Sequence, residues 1–96
     1  MININQIWQV DQHVRFRRLF DEGVLIHQDQ AEAIVINDTG MAFLELCDGQ
    51  RSTGDIIIGM KSQFGVEVDV LAADLEPFIK ELAKGGIIQP VPDSPS

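Results

Sequence analysis

The first third of the chain alternates polar and apolar residues with a period of two, which is the pattern of β-strands with one solvated face. Residues 13–17 alternate in this way, and after a turn rich in polar residues the apolar run at 24–26 resumes the pattern. A polar connection then leads to residues 33–36, which are apolar and largely β-branched. We therefore predict three short antiparallel strands, of which the first two form a hairpin.

After the third predicted strand the apolar residues recur at helical intervals. Asn37, Asp38 and Thr39 each offer a side-chain oxygen that can cap the start of a first helix. Gly49 follows the apolar residues of this segment and is placed to end the helix in a left-handed conformation. The pattern therefore predicts a short first helix directly after the third strand.

Two further helices are predicted by the same kind of signal. Ser52 and Asp55 form a pair that resembles a capping box, and Gly65 follows the last apolar residue of that helix. Asp69 is placed to cap a third helix, which ends at the glycines of residues 85–86. The isoleucines at 87–88 are expected to return as a small strand.

Pro77 interrupts the third predicted helix. A proline inside a helix removes a backbone donor and clashes with the preceding turn. We expect either a kink at Pro77 or a fresh helix start capped by Asp74, in which the proline lies in the harmless first turn.

These elements predict an α+β fold in which a three-stranded antiparallel sheet is followed by three helices. The last two helices and residues 87–88 suggest a winged helix-turn-helix. We expect one domain over residues 1–88 and a disordered tail rich in proline and serine over residues 89–96. The polar segment at residues 1–6 is also expected to be loose.

The third strand is the most informative of the predicted elements. Ala33 and Val35 point to one face and Ile34 and Ile36 to the other, although the sheets of such meanders usually have one solvated face. One interpretation is that helices, a bulge or another part of the chain cover the second row. The other is an unguarded edge that accepts an additional strand from an extended peptide.

Charge narrows the class of partner. The 96-residue chain has 7 Lys or Arg against 15 Asp or Glu, so 7 − 15 gives a net charge of −8. Binding to nucleic acid or to an anionic membrane surface would bring like charges together, so we expect neither partner. The chain has no long apolar segment and no signal-peptide pattern, and a cytoplasmic location is expected.

Catalytic and metal-binding signals are weak throughout the sequence. His13 and His27 lack a third ligand for a metal site, and Cys47 lies on the apolar face of the first predicted helix, where a thiol usually packs as a small hydrophobe. No glycine-rich phosphate loop or nucleophile motif is present. We therefore predict a protein that is not an enzyme, with no cofactor and no metal. The arginines of the first strand are either a solvated face or a docking patch for an acidic partner.

The order of short features along residues 14–88 resembles the PqqD-like proteins, a family named for pyrroloquinoline-quinone biosynthesis whose domain is also called the precursor-peptide recognition element. The resemblance rests on the succession of features and not on one long signature. The features are Ile34-Val35-Ile36-Asn37, Thr39-Gly40, Leu44-Glu45-Leu46-Cys47-Asp48-Gly49, Ile56-Ile57, Phe64, Asp74-Leu75, Phe78-Ile79, Leu82 and Gly86-Ile87-Ile88.

This resemblance implies a non-catalytic winged helix-turn-helix that holds the leader of a ribosomally made precursor peptide. It also implies that the protein presents the peptide to a modifying enzyme, commonly a radical S-adenosylmethionine protein. In the family the leader pairs with the third strand and lies in a cleft beside the third helix. By position, the implied peptide-binding residues are Ala33, Ile34, Val35, Ile36, Asn37, Leu75, Phe78, Ile79 and Leu82. Some of the four helical residues are expected to face the core instead.

Two alternatives belong to other functional classes. One is a winged-helix DNA-binding regulator, although the predicted third helix has more acidic than basic residues. The other is a scaffold that forms a homodimer by pairing through the same edge strand.

Overall fold

The structure, a computed structural model, describes residues 2–30 and 32–92, and these contain six strands and three helices. In chain order the elements are β1 (Ile7–Val10), β2 (Val14–Leu19), β3 (Glu22–His27), β4 (Glu32–Asn37), α1 (Asp38–Leu46), β5 (Asp48–Ser52), α2 (Thr53–Phe64), α3 (Val68–Lys84) and β6 (Ile88–Val91). The predicted α+β class, with a three-stranded antiparallel sheet and three helices, is confirmed. The winged helix-turn-helix label stays a prediction.

The predicted sheet is a meander with the strand order β2-β3-β4, and we call it the meander sheet. A two-residue turn joins β2 to β3, so that Leu19 lies opposite Glu22. Phe20, the first residue of that turn, has φ 59°, a left-handed conformation that is uncommon for a bulky side chain. In the central strand Leu25 is fully buried, and α1 packs over the face of the sheet on which Leu25 lies.

A second sheet, with the order β5-β1-β6, was not predicted, and we call it the terminal sheet. Its central strand β1 pairs antiparallel with β5 and with β6. The carbonyl of Gln6 accepts both the backbone N–H of Thr53, at 2.8 Å, and its hydroxyl, at 2.7 Å. These bonds fix the start of β1 to the start of α2, so the segment before β1 is not as loose as expected.

The start of α1 is confirmed, but its end is not. Asn37 is the N-cap, and its side-chain oxygen accepts the backbone N–H of Gly40 at 2.9 Å. The helix ends at Leu46 with Cys47 as its C-cap. Gly49 does have a positive φ of 79°, but it lies within β5, so its prediction as the helix stop is wrong.

The limits of α2 agree with the sequence, whereas the start of α3 does not. The Ser52 hydroxyl accepts the backbone N–H of Asp55 at 3.2 Å, and Gly65 closes α2 with φ 67°. The N-cap of α3 is Glu67, which makes no side-chain capping bond. The prediction of Asp69 as the cap is therefore wrong, and its carboxylate instead accepts the N–H of Val70.

Helix α3 continues through Pro77 as one element. The fresh start that was predicted at Asp74 is therefore wrong. Pro77 removes the N–H that would bond the carbonyl of Ala73. Because Ala73 and Pro77 are both exposed, water can satisfy that carbonyl, and the helix tolerates the proline.

The carboxyl-terminal boundary lies farther along the chain than predicted. Strand β6 extends to Val91, so residues 89–91 pair with β1 instead of belonging to a tail. Pro92 follows β6 without regular secondary structure, and residues 93–96 of the predicted tail lie outside the described residues.

The core lies between the meander sheet and the three helices. Phe43, Met41 and Leu44 of α1 are fully buried, and a side chain at Gly23 of β3 would overlap Met41. This close approach explains why a glycine occupies the central strand. The helix α1 therefore covers the inner face of the meander sheet, and α3 lies beside the open edge of β4.

Candidate functional site

Strand β4 is an edge strand with one free side. It pairs with β3, and among the described residues no strand pairs with its other side. Natural edge strands are usually protected by lysine, proline or a bulge, because their unpaired backbone groups recruit other strands. Residues 33–36 carry no charge and no proline, and the β3–β4 register runs without a shift. The edge is therefore open to pairing with an extended chain.

The hydrogen-bonding pattern of the hairpin can be followed from its turn. A two-residue turn makes Leu19 and Glu22 a hydrogen-bonded pair. At the other end of the hairpin the N–H of Gln28 bonds the carbonyl of His13 at 2.9 Å, which agrees with the same alternation. Every second residue of β3, beginning with Glu22, thus directs its backbone groups to β2.

The remaining residues of β3 direct their backbone groups to β4. They lie opposite Ile36, Ile34 and Glu32, so these even-numbered residues use their N–H and C=O groups inside the sheet. The backbone groups of Ala33 and Val35 point to the open side. An added strand would therefore bond directly to these two residues.

Side chains of β4 alternate in the same period. Ile36 is 4% exposed and Ile34 is 39% exposed, and both lie on the inner face of the meander sheet. Val35 lies on the opposite face and is 69% exposed. The inner row is therefore covered more strongly as β4 approaches α1, while the outer row is open to solvent.

A groove of about 610 Å³ lies between β4 and the second half of α3. Its lining residues are Gln30, Glu32, Ile34, Val35, Ile36, Asn37, Phe78, Glu81, Leu82, Gly85 and Ile87. We call this cavity the groove.

Two contacts fix the direction of α3 along β4. The side-chain amide of Gln30 donates to the carbonyl of Gly85 at 3.4 Å, which joins the start of β4 to the end of α3. At the other end, a side chain at Gly40 would overlap Phe78, so α1 and α3 approach closely there. Phe78 also packs edge-on against Phe43, with ring centroids 6.4 Å apart. The helix and the strand are thus antiparallel, and the groove runs along both.

The structure places most, but not all, of the predicted binding residues in the groove. The six that line it are Ile34, Val35, Ile36, Asn37, Phe78 and Leu82. Ala33 is exposed on β4 but does not line the groove. Leu75 is buried and lines a smaller adjoining cavity of about 290 Å³ that shares Asn37 and Phe78. Ile79 lines a different cavity, beside Trp8.

Sequence reasoning missed the residues that line the end of the groove near Gly85. These are Gln30, Glu32, Glu81, Gly85 and Ile87. The helical period alone places Glu81 next to Leu82 without showing which of them faces β4. The antiparallel alignment of α3 with β4, which brings these residues together, was not encoded in any local pattern.

The charged side chains that line the groove are acidic. Glu32 and Glu81 lie at the end near Gly85, and Asp74 lines the adjoining cavity at the other end. No ion pair involves Glu32 or Glu81 within the described residues. An extended ligand that is neutral or basic is therefore favoured over an acidic one.

The three arginines of β2 have different surroundings. Arg18 binds Asp38 at 2.6 Å and Glu45 at 2.8 Å, so it ties the hairpin to α1. Its hydrogen bonds to Glu45 and then to Asp38 raise the pKa of Arg18 above its usual value. Arg15 and Arg17 stay exposed on the outer face of the sheet.

Cys47 does not have the surroundings of a reactive thiol. It is 7% exposed, and burial, with a smaller contribution from the charge of Asp48, raises the pKa of Cys47 to about 12. Among residues 2–30 and 32–92, no group of three or more potential ligands is arranged to hold a metal ion. In the same ranges, no helix has the length and apolarity that a membrane crossing requires.

Comparison with known proteins identifies the family. Residues 22–88 match the family model described as coenzyme PQQ synthesis protein D (PqqD). No curated protein sequence matches the chain. A solved structure described as TbiB1 in complex with the TbiA(beta) leader peptide has a similar fold, with a TM-score of 0.73 and 18% sequence identity. The match covers 84% of this chain and 94% of that one.

The fold is a small α+β domain with an open sheet edge at β4 beside a groove. Because the family model covers most of its length, the chain belongs to the PqqD family.

Proposed function

We propose that this protein is a non-catalytic adaptor that binds the leader of a ribosomally synthesised precursor peptide and presents it to a modifying enzyme. The observation that carries this proposal is the unguarded edge of β4 beside the apolar groove. Membership of the PqqD family supports it, as does the similar fold of TbiB1, whose structure is described with a leader peptide.

The leader would add to the meander sheet as a fourth strand next to β4. Its backbone would bond the open groups of Ala33 and Val35, and every second side chain would enter the groove towards Phe78 and Leu82. Backbone bonds supply affinity that does not depend on sequence, and the pockets between β4 and α3 supply selectivity. Antiparallel addition is favoured because antiparallel pairing is slightly more stable per residue.

Binding of this kind accelerates a modification without chemistry in the adaptor. A tethered leader raises the local concentration of the attached peptide at the enzyme and restricts its orientation. The expected partner is a modifying enzyme of the radical S-adenosylmethionine type, and the expected location of both proteins is the cytoplasm. Neither expectation depends on the geometry of the groove.

The two alternative functions require different uses of the same elements. For DNA binding, α3 would have to enter a groove lined with phosphates, although its acidic residues Asp69, Asp74 and Glu81 are exposed. For a homodimer, a second copy would occupy the edge of β4 and would compete with the leader. Competition between leader and self-association therefore distinguishes the scaffold from the adaptor.

The proposal is tested by NMR titration with a synthetic leader from a short open reading frame beside the gene. The expected result is a set of shifts confined to the amides of residues 33–37 and to the surroundings of Phe78. Shifts restricted to other faces of the molecule would reject this site.

A control variant distinguishes binding of the leader in the groove from nonspecific binding of the leader elsewhere on the protein. Val70→Thr changes an exposed valine that lies on α3 but does not line the groove, and it should leave the titration unchanged. Duplex DNA at low ionic strength serves as the second ligand, and comparable shifts with DNA would favour the regulator instead.

A further inference from the structure

The outer face of the meander sheet carries neighbouring apolar side chains, of which Val35 also borders the groove whereas Val24 and Ile26 do not. Val35 is 69% exposed and Ile26 is 43% exposed, and Val24 lies half-buried between them and β2. Single exposed hydrophobic residues are ordinary at protein surfaces, but these three are neighbours on adjacent strands. These residues form an apolar patch on the outer face, to which β4 contributes Val35.

The outer face is organised in two rows that cross all three strands. Arg17, Val24 and Val35 stand opposite one another in the first row. In the second row, Ile26 lies between Arg15 and Ala33. Each row thus begins with a charged residue on the β2 edge and becomes apolar towards the open edge of β4.

A strand that pairs with β4 would extend both rows by one residue. The backbone groups of Val35 face the open side, so the residue paired with Val35 would point its side chain to the outer face. Directly opposite residues on one face of an antiparallel pair interact, and pairs of β-branched or aromatic residues are the favourable ones. A side chain at the position opposite Val35 would therefore lie against the apolar outer face, while its two neighbours in the added strand would point towards the inner face and the groove.

We propose that the leader is recognised on both faces of the extended sheet and that Val35 selects a β-branched or aromatic residue at the outward position. This inference rests on the proposed function and names the class of ligand more closely. The ligand is an extended segment with at least three consecutive apolar residues. The outer two enter the groove, and the middle one covers Val35. An amphipathic strand with a polar outward face would leave that valine exposed.

The size of the effect follows from the cross-strand pair. Such pairs change stability by up to about 1 kcal/mol relative to alanine pairs, which corresponds to about fivefold in affinity. The contribution of Val35 is thus smaller than that of the backbone bonds and the groove, and it adds selectivity to a complex that forms without it.

The test begins with selection of a random peptide library against the full chain. NOEs between the best selected peptide and the methyl groups of Val35 identify the peptide residue that faces outward. A double-mutant cycle then combines Val35→Thr, which keeps the β-branched shape, with a change of that peptide residue to serine. The expected coupling is about two- to fivefold in the dissociation constant, and the selected peptides should carry apolar residues at this position.

Each other outcome separates the inference from the proposed function. One outcome is that the peptide binds at β4 while the cycle shows no coupling and the selected peptides have no preference at the outward position. In that case recognition on both faces of the sheet is wrong, and the proposed adaptor function is unaffected. If no peptide is selected, or the selected peptides give no NOE to β4, both proposals fail together. Val70→Thr should show no coupling with any peptide residue, because Val70 lies away from the groove.

Discussion

The two sheets of this protein treat their edges differently. In the terminal sheet, β6 carries Pro90 and β5 carries Asp48 and Arg51, residues that disfavour pairing with another chain. In the meander sheet, β2 is protected by three arginines, whereas residues 33–36 of β4 are uncharged and apolar on both faces. Among these four described edges, β4 alone has four successive residues without charge or proline, after a strand start at Glu32.

This difference supports β4 as the proposed site of leader binding more directly than the cavity does. The other three edges carry proline or charged residues within their strands. An uncharged stretch of edge, next to a groove lined by Phe78 and Leu82, is what strand addition requires. Substitutions that add a proline to β4, or remove the proline from another edge, therefore test whether β4 is the edge that accepts the leader.

The largest effect is expected from Val35→Pro, which places a guard on the open edge. Proline removes the N–H that faces the leader but no bond between β3 and β4, and edge strands tolerate proline in that position. Loss of one backbone bond and the added ring should weaken leader binding by about tenfold or more. Isothermal titration calorimetry measures this change.

Circular dichroism provides the control for Val35→Pro. The far-ultraviolet spectrum and the melting transition should stay close to those of the native chain. If the variant folds and still binds the leader with native affinity, the leader does not pair with this side of β4.

The next effect concerns the point where the edge strand ends. Asn37→Ala removes the cap that accepts the Gly40 N–H and should lower the free energy of unfolding by about 1 kcal/mol. Asn37→Asp keeps a capping oxygen and should retain most of that stability. Urea denaturation compares the two variants, and equal stability of both would show that the cap is unimportant.

Arg18→Gln tests the ion pairs that tie the edge strand β2 to α1. Arg18 binds Asp38 and Glu45 on the surface, so its loss should lower the melting temperature slightly, and by less in high salt. Arg17→Gln is the matched control, since Arg17 stays exposed on the outer face of the sheet. A decrease in melting temperature for Arg18→Gln that is the same at low and high salt would contradict an ionic origin.

The smallest effect is expected from Pro90→Val, which removes the guard of β6. The new backbone N–H would make this edge more able to pair, and sedimentation velocity should show a modest rise in self-association. The four-residue length of β6 limits the effect. If Pro90→Val leaves association unchanged while Val35→Pro leaves leader binding unchanged, proline at these edges does not control their pairing with other strands.

The sequence predicted the meander sheet and the three helices because their signals are local. Alternation identifies β2 and β3, the apolar run at 33–36 identifies β4, and the capping oxygens of Asn37 and Ser52 mark two helix starts. The apolarity of both faces of β4 also made an open edge one of two interpretations of this strand. These features depend on neighbours within a few residues.

The terminal sheet and half of the groove depend on contacts between distant parts of the chain. Strand β5 has the sequence DGQRS, which contains no apolar residue, and it forms because β1 lies beside it. Glu32 and Glu81 face the groove because α3 runs antiparallel to β4. Leu75 and Ile79 share the helical period of Phe78, and packing directs them elsewhere.

The most direct test of the central claim is amide hydrogen exchange along β4, with and without saturating leader peptide. In the free protein the amides of Ala33 and Val35 should exchange rapidly, whereas those of Ile34 and Ile36 should be protected by bonds to β3. Leader binding should protect Ala33 and Val35 and leave the other two nearly unchanged. Protection of Val35 in the free protein, or continued rapid exchange of Val35 in the complex, would contradict strand addition at this edge.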